Sequence, residues 1–298
     1  MSEYRKIDKR QSLRVVTDND FITTSELTEL SLNARKLLYI AISQCKKSDS
    51  KFYEYETTPK ELAEMWGIDE SNVYQAADKI TDELMNILIK KTTDKPKEFD
   101  KKHLFEKCSY HSHIVSFKLH AEMRDHFLGL NGDFSKPLVW DFMKMKSPYT
   151  MAIWHLMQKE MKSFKPGFSA PIEFEISVDE LRAITGTQNK LKQIGQFKER
   201  VLDKALAEIE KNCFTKITYT NVKDGHTITA FNFTAESLLG GIDPEKLPIR
   251  DRKRARKALL VYKRSIERIS EEELKELDRL EKELEQITIP DFLSGQTD

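Results

Sequence analysis

Thr58-Pro59-Lys60-Glu61-Leu62-Ala63-Glu64-Met65-Trp66-Gly67 reads as a short helix held between a capping residue and a glycine stop. Thr58 and Glu61 have capping-box spacing, in which hydroxyl and carboxylate each accept from the other residue's backbone N–H. Pro59 falls at the first helical position, where its missing N–H costs nothing. Gly67 suits the left-handed backbone that ends many helices. The pattern returns at Ser177-Val178-Asp179-Glu180-Leu181-Arg182-Ala183-Ile184-Thr185-Gly186, with Glu, Leu and Gly in register. A second echo follows each copy: Ser116-Phe117-Lys118-Leu119-His120-Ala121-Glu122 parallels Ala230-Phe231-Asn232-Phe233-Thr234-Ala235-Glu236. Two copies bounded this way imply two similar domains in tandem. Short helix, glycine turn, longer helix and closing strands predict helix-turn-helix units, which point to DNA contact rather than catalysis.

The chain has 298 residues, which suits two domains. Hydrophobic residues make up 39%, enough for a core in each half. The 49 basic residues balance the 49 acidic ones, so any DNA-facing charge has to be local. Cys45, Cys108 and Cys213 are an odd number and far apart, which argues against a disulfide framework and against structural zinc. The charged start Met1-Ser2-Glu3-Tyr4-Arg5-Lys6 does not read as a secretion signal, and no apolar run approaches the roughly 20 residues of a membrane span. A cytoplasmic location is expected.

Residues 1–25 are polar and read as an arm. A first domain over 26–123 opens with an apolar helix carrying Leu32, Leu37, Leu38, Ile40 and Ile42. Phe52-Tyr53-Glu54-Tyr55-Glu56-Thr57 alternates like a strand. Past Gly67, Asp69 can cap a helix whose Val73, Ala77, Ile80 and Leu84 form one stripe. Lys90 to Lys102 reads as a charged loop before a strand with Ile114, Phe117 and Leu119. Residues 124–146 read as a connecting segment. A second domain over 147–240 opens with a helix around 149–162, followed by a strand over 173–178 and a helix over 178–185. A long helix is then predicted from about Asn189 to Lys211, and a hairpin around Asp224-Gly225. Residues 241–298 form a charged helical tail, basic from Arg250 to Arg268 and acidic from Glu271, with Leu277, Leu280, Leu284 and Ile287 as a short seam. The fold class expected is α+β: two tandem winged-helix domains with a helical tail.

Over about residues 20–240 the chain resembles the Rep3-type plasmid replication initiators. The match rests on Ile176-Ser177-Val178-Asp179-Glu180-Leu181, on Phe197-Lys198-Glu199-Arg200-Val201-Leu202 and on Ala207-Glu208-Ile209. In the first unit it rests on Leu32-Asn33-Ala34-Arg35-Lys36-Leu37-Leu38 and Ser71-Asn72-Val73-Tyr74. Leu191 stands where the family usually carries a tyrosine. The resemblance implies an initiator that binds direct repeats (iterons) in double-stranded origin DNA and helps open the neighbouring duplex. It further implies recruitment of the host initiator and helicase, and a monomer–dimer equilibrium in which dimers repress the initiator's own gene.

The residues predicted to meet DNA lie chiefly on the helix from Asn189. Lys190, Lys192, Gln193, Gln196, Lys198 and Arg200 fall at or near its start, opposite the apolar Leu191, Ile194, Phe197 and Val201. Lys and Arg neutralise phosphates or read guanine, and Gln can pair with adenine. In the first unit Ser71, Asn72, Gln75 and Lys79 are candidates on a more acidic helix, where the plainer reading is a packing or dimerisation surface. Lys95, Lys97, Lys101 and Lys102 read as a phosphate-touching wing, and Lys223 as the same in the second hairpin. His111-Ser112-His113 would place two imidazoles on one strand face, but a metal needs more ligands. No metal, cofactor or catalytic residue is expected, nor any membrane contact. The rival readings are a tandem winged-helix repressor and, of a different class, a DNA-nicking initiator enzyme.

Overall fold

The computed structural model describes residues 4–8, 13–66, 69–92, 98–130, 132–161, 171–213, 215–237 and 269–285, together with 253, 256, 257, 260 and 264. Both units have the winged-helix order. In the first, helix Leu32–Ser43 leads to strand Glu54–Thr57, helices Pro59–Trp66 and Glu70–Asn86, and strands Phe105–His111 and Ile114–Leu119. In the second, helix Pro148–Glu160 leads to strand Ile172–Ser177, helix Val178–Thr185, a helical stretch 194–213, and strands Thr215–Asp224 and Thr227–Ser237. In each sheet the last strand lies between the other two.

The local signals work as read. Glu61 N–H donates to Thr58 Oγ1 at 3.2 Å and Thr58 N–H to Glu61 Oε2 at 3.0 Å, closing the capping box. Ser177 Oγ accepts from Glu180 N–H at 3.0 Å. Gly186 ends its helix at φ 62°, while Gly67 lies outside the described residues. The strand echo is out of step by one pleat. Phe117 pairs with Tyr55, three residues before the Thr58 cap. The residue in that place in the second unit is Phe233, opposite Phe174, and not Phe231. A two-residue slip keeps both rings on the buried face, so the hydrophobic pattern alone does not reveal it.

The first unit carries two additions. Strand Tyr4–Lys6 joins its sheet in parallel beside Glu54–Thr57. A hairpin, Leu88–Thr92 with Phe99–His103, stands between the long helix and the sheet, where the sequence suggests a charged loop. Ile89 is buried beneath it, and the lysine-rich composition hides the alternation.

The described parts of the arm and of the connecting segment pack into the core. Val15, Thr17, Phe21 and Ile22 are buried, and Thr17–Asp18 pairs with Phe134–Ser135. Phe127, Leu128, Val139, Phe142, Met143 and Met145 enter the same core. The reason lies in helix Pro148–Glu160. Every residue from Thr150 to Met157 is buried, so the helix needs cover on all sides. The first unit's flanking segments and the second unit's helices supply it, and one hydrophobic cluster runs through both units. In the tail, helix Glu271–Glu285 buries Leu277 and Leu280 against Leu260, with Leu138 of the body packed beside them. Leu277 and Leu280 of the leucine seam are thus covered within the chain, Leu284 is half-buried, and Ile287 lies outside the described residues. Among the described residues no helix is long and apolar enough to cross a membrane.

His155 is the polar group at the centre. Tyr39 Oη lies 2.9 Å from Nδ1, and Ser135 Oγ and Thr17 Oγ1 lie 3.0 and 3.2 Å from Nε2. Burial, helped by the positive charge of Arg35, lowers its pKa from 6.5 to about 3. Between those values the unfolded chain holds a proton that the folded chain refuses. The stability due to neutral His155 is thus present above pH 6.5 and lost as pH falls toward 3. Compared with His155→Gln, the wild type should lose up to about 1.4 kcal/mol more per pH unit in that window. Urea unfolding at pH 7 and pH 5 measures the difference; equal slopes would exclude a buried neutral imidazole.

Candidate nucleic-acid interface

Helix Val178–Thr185 stops at Gly186, whose backbone turns the chain toward the second helix. A Cβ on Gly186 would come within 2.9 Å of the Thr28 Cβ, so the turn also packs closely on the first unit. Periodicity places Lys190, Lys192 and Gln193 on a helix beginning near Asn189. The structure corrects this: the helix starts at Ile194, with Gln193 as its N-cap residue.

The cause is Arg182. Its guanidinium donates to the carbonyl oxygens of Thr187, Lys190, Leu191 and Lys192 at 3.0, 3.1, 2.9 and 3.3 Å. It also lies 4.8 Å from the Phe197 ring centroid. The carbonyls of Lys190, Leu191 and Lys192 turn toward this side chain instead of along a helical ladder, while Thr187 O also accepts the Lys190 N–H in a turn at 3.1 Å. Leu191, at φ 50°, has left the helical region altogether. The result is a loop wrapped on a buried cation, with Gln188, Asn189, Lys190, Lys192 and Gln193 exposed on its outside.

The helix proper contains a π turn over Lys198–Leu202 between Ile194–Phe197 and Asp203–Cys213. Phe197, Val201, Leu202, Ala205, Leu206 and Ile209 face the core. Arg200 is exposed and Gln196 half-buried on the outer side. Lys198 is drawn inward. Its Nζ lies 3.3 Å from Asn221 Oδ1 and 5.1 Å from the Tyr219 ring centroid, tying the helix to the hairpin. Tyr219 Oη in turn donates to Asp203 Oδ1 at 2.7 Å. The hairpin turns at Gly225-His226, with Lys223 exposed beside the tip. Lys190, Lys192 and Arg200 thus form the exposed positive charge of the loop and of the helix up to its π turn, with Glu199 as the carboxylate among them; Lys204 and Lys211 are exposed farther along, beside Asp203 and Glu210.

The first unit differs. Asp69 caps helix Glu70–Asn86, and the Ser71 hydroxyl and N–H both donate to it, holding the Asp69 carboxyl below its usual range. Asn72 and Lys79 are exposed, but so are Glu70, Asp78 and Asp82. The side chain of Gln75 lies outside the described residues, as do Lys95 and Lys97. Lys101 and Lys102 belong to the inserted hairpin and not to the wing. The wing is the tip between Phe105–His111 and Ile114–Leu119, which the sequence reading missed. Ser112 and His113, at φ 51° and 61°, are its two turn residues. The two histidines therefore do not share a strand face. Asn-Gly or Asp-Gly would have marked such a turn in the sequence; Ser-His does not. Among the described residues no group of three His, Cys, Asp or Glu is gathered for a metal.

Residues 14–158 match the family model described as "Initiator Replication protein, WH1", and residues 177–235 its companion, "Initiator Rep protein, WH2". Among solved structures, one titled "Crystal structure of Pi initiator protein in complex with iteron DNA" matches with a TM-score of 0.61. It covers 76% of this chain and 98% of that chain at 21% identity, a likeness of fold. The curated proteins contain no match.

Arg182 gives the site its sharpest test. Arg182→Ala should cost about 3 kcal/mol, because the buried Thr187 carbonyl and three part-buried ones lose a charged donor. Arg182→Lys should recover little, since one ammonium cannot span four acceptors. Urea midpoints check both. A neutral Arg182→Ala would mean that the loop holds without its cation.

Proposed function

Because the chain belongs to the Rep3 family of initiator replication proteins, we propose that it binds iterons in plasmid origin DNA through both winged-helix units. The observation that carries this reading is the order of the two family models along a chain whose fold matches an initiator solved on iteron DNA. The exposed Lys190, Lys192 and Arg200 support the second unit as the stronger DNA contact. Lys190 and Lys192, on the loop, suit phosphates, and Arg200, on the helix, suits a base edge. The first unit's acidic helix contributes less, through Ser71, Asn72 and the wing tip.

The protein acts by binding, without cutting DNA. A monomer occupies a direct repeat, a dimer occupies an inverted repeat at its own promoter, and the bound monomer recruits the host initiator and helicase. Incubation of a supercoiled origin plasmid with protein and divalent metal should give a shifted but uncut plasmid. Nicking would favour the enzyme reading.

Two sets of variants separate positioning from reading. Arg200→Ala should weaken iteron binding by about 1–3 kcal/mol and leave scrambled DNA almost unaffected. Lys190→Ala with Lys192→Ala should weaken both, and lower the slope of log affinity against log salt by about 1.8. Fluorescence anisotropy at several salt concentrations measures both effects. If all three side chains are silent, the loop and helix are not the reading surface.

A further inference from the structure

The hairpin Leu88–Thr92 with Phe99–His103 has no counterpart in the second unit, and the winged-helix sheet is complete without it. Its strand register sorts its side chains. Lys90 lies opposite Lys101, and Thr92 opposite Phe99, which puts Lys90, Phe99 and Lys101 on one face. The other face carries Ile89, buried against the body, and pairs Lys91 with Asp100. The carboxylate of Asp100 is thus turned away from the Lys90–Lys101 pair.

Two features of the outer face are costly for the folded chain alone. Phe99 is 50% exposed, the most exposed large hydrophobic residue described. Lys90 and Lys101 face each other across the strands, and like charges directly opposite are destabilising. Both ammoniums gather at the one ring, with Nζ 4.8 and 5.4 Å from its centroid. An aromatic ring in water between two cations matches one ligand chemistry well: a flat, partly apolar group on a polyanionic chain. Duplex DNA offers the phosphates but keeps its base faces stacked. An unpaired strand offers both.

We propose that this hairpin is a second nucleic-acid site, distinct from the two helix-turn-helix units, which binds single-stranded DNA. Phe99 stacks on an unpaired base, and Lys90 and Lys101 hold the phosphates beside it. A chain that binds a duplex origin with its winged helices would then hold an opened strand with the same first unit.

The test uses the full chain, a labelled oligo-dT and a labelled iteron duplex. Phe99→Ala should weaken oligo-dT binding by about tenfold, as expected for one lost stacking contact, and leave duplex affinity unchanged. Phe99→Trp should restore it. Lys90→Ala with Lys101→Ala should weaken oligo-dT binding and flatten its salt dependence by about 1.4 in log–log slope. The half-exposed ring can be removed without opening the core, and an unchanged urea midpoint checks this. Unchanged oligo-dT affinity in both variants would overturn the proposal. Equal losses on oligo-dT and duplex would reduce the face to a general phosphate contact. A shift in sedimentation coefficient with Phe99→Ala would make it a contact between copies of the chain. Failure of the wild type on the duplex would instead count against the iteron reading, so the two are separable.

Discussion

Helix Pro148–Glu160 has no face for water along its middle, and the rest of the molecule is arranged to cover it. A helix buried all round cannot belong to one winged-helix unit alone, because a single unit covers only one side. Helix Asn19–Ile22 and strand Phe134–Ser135 lie against it from the first unit's flanks, and Val178–Thr185 and Asp203–Cys213 from the second. The two units therefore share a core. Lys36, buried on the first unit's helix, keeps company with Glu208 of the second, and burial lowers its pKa to about 8. The shared core sets the spacing of the two helix-turn-helix elements, through both of which we propose that the protein reads DNA. That spacing is what a repeat of defined length has to match.

Within the second unit the controlling contact is smaller. One guanidinium, that of Arg182, collects the backbone of the whole turn. The planar fork of Arg suits this work, since its donors diverge in fixed directions toward several acceptors. The echo shows what happens without it. Glu61-Leu62-Ala63 aligns with Glu180-Leu181-Arg182, so Ala63 stands in the place of Arg182. In the first unit only residues 67–69 separate the two helices, and Asp69 caps the second at once. In the second unit residues 186–193 separate them. One substitution between the repeats accompanies a longer, basic loop on one side and an acidic helix on the other.

Charge follows the same logic of local use. Three of the tail's basic residues, Lys253, Arg256 and Arg264, are paired within the tail. Arg256 meets Glu276 through two bonds of 3.0 and 2.8 Å, Lys253 meets Glu283 at 2.9 Å, and Arg264 meets Glu281 at 3.5 Å. The hairpin of the first unit and the loop of the second keep theirs exposed. A net charge of zero thus conceals two exposed basic sites beside cations already paired with carboxylates.

The sequence by itself determined the elements whose signals are local. The capping box at Thr58 and Glu61, the glycine stop at Gly186 and the stripe through Val73, Ala77, Ile80 and Leu84 each depend on neighbours a turn away. They sufficed for two tandem winged helices. Tertiary structure decided whatever depends on distant partners. Val15, Thr17 and Phe21 look like an arm until the buried helix requires cover. Lys190 and Lys192 look helical until Arg182 takes their carbonyls, and the sequence shows only an arginine on a neighbouring helix. Lys198 looks like an unpartnered cation until Asn221 and Tyr219 arrive from the hairpin. Phe99 looks like one residue of a charged loop until strand pairing sets it between two lysines. In each case the deciding partner lies beyond the span over which helical or strand periodicity carries information, and only the closed chain brings it within reach.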